Sequence, residues 1–283
     1  MSIAEAPQTT DAPIIGVFDS GFGGLTVLRA LLTRLPHARF AFLGDTARLP
    51  YGSKSRRTIA RYAAESARFL VREQGAQFLV IACNTASALA LDAIQDAVPV
   101  PVLGVIEPGA SAAKASSQSG GVFVIATEAT VQSHAYAAAC QAQGMHVLEK
   151  ACPLLVPLVE EGWTQHPVTA EVIRIYLDEL ARGAQAQGIS ADTLLLGCTH
   201  YPLLRPLIER AVPAGVRVID SAEAAAEAAT RIFNGHIHAP GSASLPEPRM
   251  RFFATDSVEK FERLGSRFLG RPVGRVELVD LGG

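Results

Sequence analysis

Two stretches of this chain follow one plan. Phe78–Ala82 is a short apolar run that stops at Cys83, followed by Asn84, Thr85 and the Ala- and Leu-rich Ala86–Ile94. Thr193–Leu204, TLLLGCTHYPLL, repeats the arrangement 115 residues later (198 − 83): an apolar run, Cys198, two polar residues and a helical pattern. An apolar run this short reads as a strand buried on both faces. The Ala- and Leu-rich continuation reads as a helix. A thiol therefore stands where a buried strand hands over to a helix, the edge at which open α/β sheets bind ligands. The recurrence predicts a doubled architecture with one reactive group from each half.

The remaining chain supports that plan. Strands are expected at Ile14–Phe18, Arg39–Leu43, Val100–Val105, Gly121–Ile125, His146–Glu149, Gly215–Ile219 and Met250–Ala254. Helices are expected at Leu25–Leu35, Ser55–Gln74, from after the loop Ala126–Thr130 through Tyr136, Ser133–Gln143, Pro153–Glu161, Thr169–Ala186, Ser221–Phe233 and Ser257–Leu269. Such alternation means parallel sheets covered by helices on both faces. The predicted fold class is α/β, with two pseudo-symmetric domains, each a mostly parallel sheet flanked by helices, and an active site in the cleft between them. The chain is expected to cross near Ile106–Gly109 and to return near Ile219–Ser221. The first domain would then be discontinuous, residues 1–107 plus 221–283, and the second would span 108–220.

Bulk properties narrow the function. With 283 residues, 49% of them hydrophobic, the chain can hold one large or two modest cores. A formal net charge of −2 argues against nucleic-acid binding. No apolar run approaches a membrane span, and MSIAEAPQTTDAP lacks the basic and apolar regions of a signal peptide, reading instead as a disordered tail. A cytoplasmic location follows, where thiols stay reduced. None of the four cysteines forms a CxxC pair, so zinc-ribbon and thioredoxin readings lack support. Cys140 and Cys152 read as small buried residues. His236 and His238 fall in a Gly-, Pro- and Ser-rich surface loop, Asn234–Arg249, and an isolated H-x-H there is set aside as a metal site.

Other candidates sit at strand ends. Asp19-Ser20-Gly21-Phe22-Gly23-Gly24 joins the first strand to its helix. It completes neither a P-loop nor G-x-G-x-x-G. A glycine turn before a helix suits anion binding, and a carboxylate at the end of a strand suits a site, although Asp19 or Ser20 as a simple helix cap competes evenly. Leu49-Pro50-Tyr51-Gly52 reads as a rigid loop tip able to present backbone N–H groups. Thr127 occupies, in the second half, the place of Asp19. Glu160 and Glu161 end a helix where carboxylates oppose the dipole, a small hint of a role.

Two thiols at two strand ends admit several chemistries. A Cys–His nucleophile could use Cys198 with His200 but leaves Cys83 idle. A disulfide couple would use both thiols and ignore the flanking polar pairs. A metal site would want more sulfur or imidazole. Paired acid–base work uses every feature: one thiolate removes a proton from one face of a substrate carbon while the other thiol protonates the opposite face. Asp19 is placed to serve Cys83, and His200 to serve Cys198. A free thiol titrates at about 8.5, so help from helix N-termini would supply thiolate at neutral pH.

At this point VFDSGFGGLTVL (Val17–Leu28), GDTARLPYG (Gly44–Gly52), ACNTASA (Ala82–Ala88), VPLVEEG (Val156–Gly162) and LLGCTHYPLL (Leu195–Leu204) together resemble the glutamate racemases, in that family's order and over most of the chain. FFATDSVEKFERLGSRFLG resembles their C-terminal segment. The resemblance implies cofactor-independent interconversion of L- and D-glutamate, the D-form feeding peptidoglycan synthesis. It implies that Cys83 and Cys198 are the acid/bases, Cys83 serving D-glutamate and Cys198 L-glutamate. Asp19-Ser20, Tyr51-Gly52, Asn84-Thr85 and Thr199-His200 match the substrate-contacting pairs, and Glu160 matches a helix carboxylate. A homodimer is expected from the family alone. ATEATVQSHAY (Ala126–Tyr136) departs from the pattern, lacking the glycines more usual at 126 and 129.

Overall fold

A computed structural model describes residues 13–234 and 249–282. The polar segment 1–12 and the loop carrying His236 and His238 lie outside the described residues.

Among the described residues ten strands form two sheets in which every pairing is parallel. The strands are β1 (Ile14–Asp19), β2 (Arg39–Gly44), β3 (Phe78–Ile81), β4 (Val102–Gly104), β5 (Gly121–Ala126), β6 (His146–Ala151), β7 (Thr193–Gly197), β8 (Arg217–Asp220), β9 (Met250–Ala254) and β10 (Val276–Leu278). The first sheet runs β10-β9-β2-β1-β3-β4 and the second β6-β5-β7-β8. In each sheet the chain goes out on one side of a central strand and comes back on the other. The order reverses between β1 and β3, and again between β5 and β7. These are the two switch points at which such sheets open a crevice at their carboxyl ends.

Alternation along the strands explains why both faces are covered. Ile15 and Val17 of β1 pack into the same cluster as Leu194 and Leu196 of β7, so one core runs through both sheets. Phe18 turns the other way, with Leu79 and Ile81, against the helix Arg56–Arg72. Leu195 turns away from Leu194 and packs with Val122, Val124 and Tyr136. Successive side chains on a strand point to opposite faces, so a strand buried on both must be apolar throughout.

Several local outcomes differ from the sequence expectation. Ala86–Ile94, expected as one helix, is divided between Asn84–Leu89 and Leu91–Ala97. Ile106–Ser116 is a helix, where Ile106-Glu107-Pro108 reads as a bare crossover. Proline is tolerated in its first turn, where the N–H would lack an intrahelical partner, and Gly109 N makes an early helical bond, to Val105 O. The helix expected through Tyr136 is instead two short ones, Glu128–Gln132 and Ala135–Gln141. Between them His134 adopts φ 55°, and the Ser133 hydroxyl donates to Thr130 O and accepts from Ala135 N, competing with the helical ladder. β10, which has no strong sequence signal, adds an edge strand beside β9. Among the described residues no helix is long and apolar enough to cross a membrane.

Candidate active site

The two switch points face one cavity of about 280 Å³. Asp19 ends β1 and Cys83 follows β3; Thr127 follows β5 and Cys198 follows β7. Twelve sequence candidates line the cavity: Asp19, Ser20, Tyr51, Gly52, Cys83, Asn84, Thr85, Thr127, Glu160, Cys198, Thr199 and His200; Glu161 does not. Both thiols are buried, each 5% exposed, and neither is in a disulfide.

On the first-sheet side, Cys83 caps the helix Asn84–Leu89, its Sγ accepting from Ala86 N at 3.4 Å and donating to Ser20 Oγ at 3.4 Å. Asp19 Oδ2 accepts from Gly21 N at 3.0 Å, while the helix Leu25–Arg34 begins after Gly24 with no side-chain cap. The capping alternative for Asp19 and Ser20 therefore gives way: the carboxylate organises the loop rather than the helix start. The loop must run close to the opposite half. A Cβ on Gly23 would stand 2.4 Å from Thr199 Oγ1 and 2.6 Å from His200 Nδ1, so only glycine fits. Thr26 Oγ1 reinforces this approach by donating to Thr199 O at 3.1 Å.

The tip Leu49–Ser53 is held from behind. The Tyr51 hydroxyl donates to the fully buried Asp45 carboxylate at 2.5 Å, and Asp45 also accepts from Arg48 and Thr255. Burial, with the Asp45 charge beside it, pushes the Tyr51 phenol far above its ordinary value. Tyr51 thus spends its hydroxyl outside the cavity and presents only its ring and backbone.

Across the crevice, His200 Nε2 lies 3.4 Å from Glu160 Oε1, close enough for an ion pair but not aligned as a hydrogen bond. Its ring is wedged between Phe22 and Phe268, at centroid distances of 6.2 and 5.0 Å. Burial alone would raise the Glu160 carboxyl; His200 and Lys260 overcome it and hold the group below its ordinary value.

No lysine or arginine lines the cavity among the described residues. Neutral donors take their place. Thr85, Thr127 and Thr130 join their hydroxyls in a triangle with edges of 3.0, 3.2 and 2.9 Å. Asn84 Oδ1 accepts from the Tyr136 hydroxyl at 2.6 Å, leaving Asn84 Nδ2 buried with no partner. A buried donor in that state is costly unless a ligand engages it. Hydroxyls, amides and helix starts can bind carboxylates without an arginine. Among the described residues no group of three or more His, Cys, Asp or Glu is arranged to hold a metal ion.

One electrostatic expectation is corrected. Helix starts do not bring either thiol towards neutral pH. Burial, with the Asp19 charge adding to it, pushes Cys83 up to about 11 against the pull of Ser20 and the Ala86 amide. Burial raises Cys198 further, with Cys83 and Asp19 adding and the amides of His200 and Tyr201 opposing. Burial also raises the Asp19 carboxyl, although His200 and the amides of Gly24, Gly21 and Ser20 counter it. Removal of charge from water outweighs the dipoles at short helix ends.

Sequence reasoning passed over several lining residues. Val156 and Pro157 stand four and three positions before Glu160, hence on its helix face, and that spacing was the available signal. Glu128 follows Thr127 as Ser20 follows Asp19. Lys260 and Tyr136, which touch Glu160 and Asn84 from outside the cavity, carry no local signal.

Comparison with known proteins agrees with this geometry. The sequence pattern of the Asp/Glu/Hydantoin racemases matches residues 15–229. A glutamate racemase of Koribacter versatilis is 55% identical over 96% of this chain and 98% of its own. The crystal structure of a glutamate racemase isoform from Bacillus anthracis superposes with a TM-score of 0.86 at 36% identity, covering 95% of this chain and 98% of the other. That of the Francisella tularensis glutamate racemase, in complex with D-glutamate, gives 0.83 at 36% identity, over 96% and 98%. The chain belongs to the Asp/Glu/hydantoin racemase family, among its glutamate racemases.

Proposed function

We propose that this chain interconverts L- and D-glutamate without a cofactor, by two thiols acting on opposite faces of Cα, and so supplies D-glutamate for peptidoglycan synthesis. The observation that carries the mechanism is the pair of buried thiols following the carboxyl ends of β3 and β7 and lining one cavity.

The proton count closes. In one direction the Cys198 thiolate takes the Cα proton of L-glutamate and becomes a thiol. The Cys83 thiol gives its proton to the other face and becomes a thiolate. The product is D-glutamate, and in the reverse direction Cys83 takes the proton. One thiol must be ionised at the start. In the reverse direction, which starts from the Cys83 thiolate, a thiol held at about 11 is ionised at pH 8 in roughly one part in a thousand, a cost of about 4 kcal/mol. The substrate ammonium repays part of that cost, since a positive charge near either sulfur favours its thiolate. Asp19 receives that ammonium and stands beside Cys83; His200, braced by Glu160, follows Cys198 by two residues on the opposite loop. Ser20, Asn84, Thr85, Thr199 and the backbone at Tyr51-Gly52 hold the two carboxylates.

Residues 1–107 with 221–283 and residues 108–220 are read as the two domains that close over the substrate, which the membership of the two sheets supports. Four cysteines outside any disulfide support a cytoplasmic location, and the family supports a homodimer. Circular dichroism of the purified protein with L-glutamate, and separately with L-aspartate, tests the assignment. The ellipticity should decay to zero with glutamate and no added cofactor. A persistent signal with glutamate, or faster decay with aspartate, would overturn it.

A further inference from the structure

Lys260 belongs to the helix Val258–Leu269, whose buried face is Phe261, Leu264, Phe268 and Leu269. Its own side chain leaves that face and reaches across to the other half of the molecule. Nζ lies 3.4 Å from Glu160 Oε2, while Glu160 Oε1 faces His200 Nε2 at 3.4 Å. The same ammonium sits 5.6 Å from the centroid of Phe22, the ring that packs beside His200. One cation thus touches two of the groups that confine the imidazole, the carboxylate and the aromatic wall. Glu160 is the last residue of its helix, where the dipole disfavours a negative charge.

We propose that Lys260 is a positioning residue for the racemisation, a cross-domain strut that holds Glu160 turned towards His200, and through it fixes the imidazole that the Cys198 loop carries. This rests on the racemase reading above. Without Lys260, Glu160 would answer to His200 alone and could rotate out to solvent. The charged groups around Glu160 are His200 from the Cys198 loop, Lys260 from the C-terminal helix, the neighbouring Glu161, and Arg267, whose guanidinium lies against Gly162. Of these, Lys260 is the cation in salt-bridge contact with the Oε2 oxygen that His200 leaves free.

The test is steady-state kinetics on the full chain from pH 6 to 9, for wild type, Lys260→Met, Lys260→Arg, Glu160→Gln and the double variant Lys260→Met/Glu160→Gln. Lys260 is half-exposed, so the strut is worth no more than other partly exposed ion pairs: Lys260→Met should lower kcat/KM about three- to fivefold. The loss should fall on kcat with KM little changed, because the strut positions the imidazole and does not itself touch substrate. Arginine should restore the wild-type kinetics. The double variant should be no slower than Glu160→Gln alone. Glu259→Gln, on the same helix and exposed, should behave as wild type. Wild-type kinetics for Lys260→Met, an additive loss in the double variant, or a loss carried by KM that arginine does not restore would each overturn the proposal. An inactive wild type would instead defeat the racemase reading itself.

Discussion

The Tyr136 hydroxyl donates to Asn84 Oδ1 at 2.6 Å, reaching from a helix that flanks the second sheet to the helix that starts behind Cys83. This bond sets the orientation of the amide. It commits the oxygen and turns the nitrogen, which has no other partner, into the free donor of the site. Tyr136→Phe should therefore lower kcat/KM about tenfold, the equivalent of about 1.4 kcal/mol, while the protein still folds. Kinetics beside a thermal melt check this; unchanged kinetics would mean that the amide is held by something else.

Gly23 has no room for a side chain between the first-strand loop and Thr199-His200. Gly23→Ala should force the two apart by a fraction of an ångström to an ångström. Displacement of that size at reacting groups costs about a hundredfold in turnover. Stability should fall by about 1–3 kcal/mol from overpacking. A variant with full activity would show that the loops part without consequence.

Activity should rise with pH on its acid side. Burial and the Asp19 charge hold Cys83 at about 11, so the thiolate fraction grows with each step of alkalinity across the neutral range. The free-enzyme profile, kcat/KM, should climb between pH 7 and 9. A profile flat from pH 6 would mean that a thiolate is already present before substrate binds.

Asp192 anchors the turn before β5: its carboxylate accepts from the Ser117 hydroxyl and from the amides of Gln118 and Ser119, at 2.7, 2.7 and 2.8 Å. Although desolvation opposes it, these donors hold the carboxyl well below its ordinary value. A depressed carboxyl stabilises the fold above its unfolded value, near 4, and the benefit fades as pH falls through the folded value. Asp192→Asn should lower Tm by a few degrees at pH 7 and by progressively less in acid. An equal loss at both pH values would assign the effect to packing.

What could be read from the sequence follows from which interactions are local. The strand–thiol–helix units at Cys83 and Cys198 were legible because a strand buried on both faces must be apolar throughout, and because a thiol breaks that run. Asp19 and Thr127 stood out by occupying matching strand ends. The thiol acidities were not legible, since burial is a property of the assembled crevice and outweighs the helix starts visible in the chain. Lys260 and Glu160 are 100 residues apart, and nothing near either one announces the other. Ile106–Ser116 hid behind Pro108, which reads as a turn unless it falls in the first helical turn.

The central claim is settled most directly in D2O. Purified protein is incubated with L-glutamate, and the D-glutamate formed is assayed for deuterium at Cα, for wild type, Cys83→Ala and Cys198→Ala. Two opposed thiols predict deuterium in essentially all product from the wild type and no racemisation by either variant. Product that keeps its original hydrogen, or full racemisation by a protein lacking one of the sulfurs, would contradict the account.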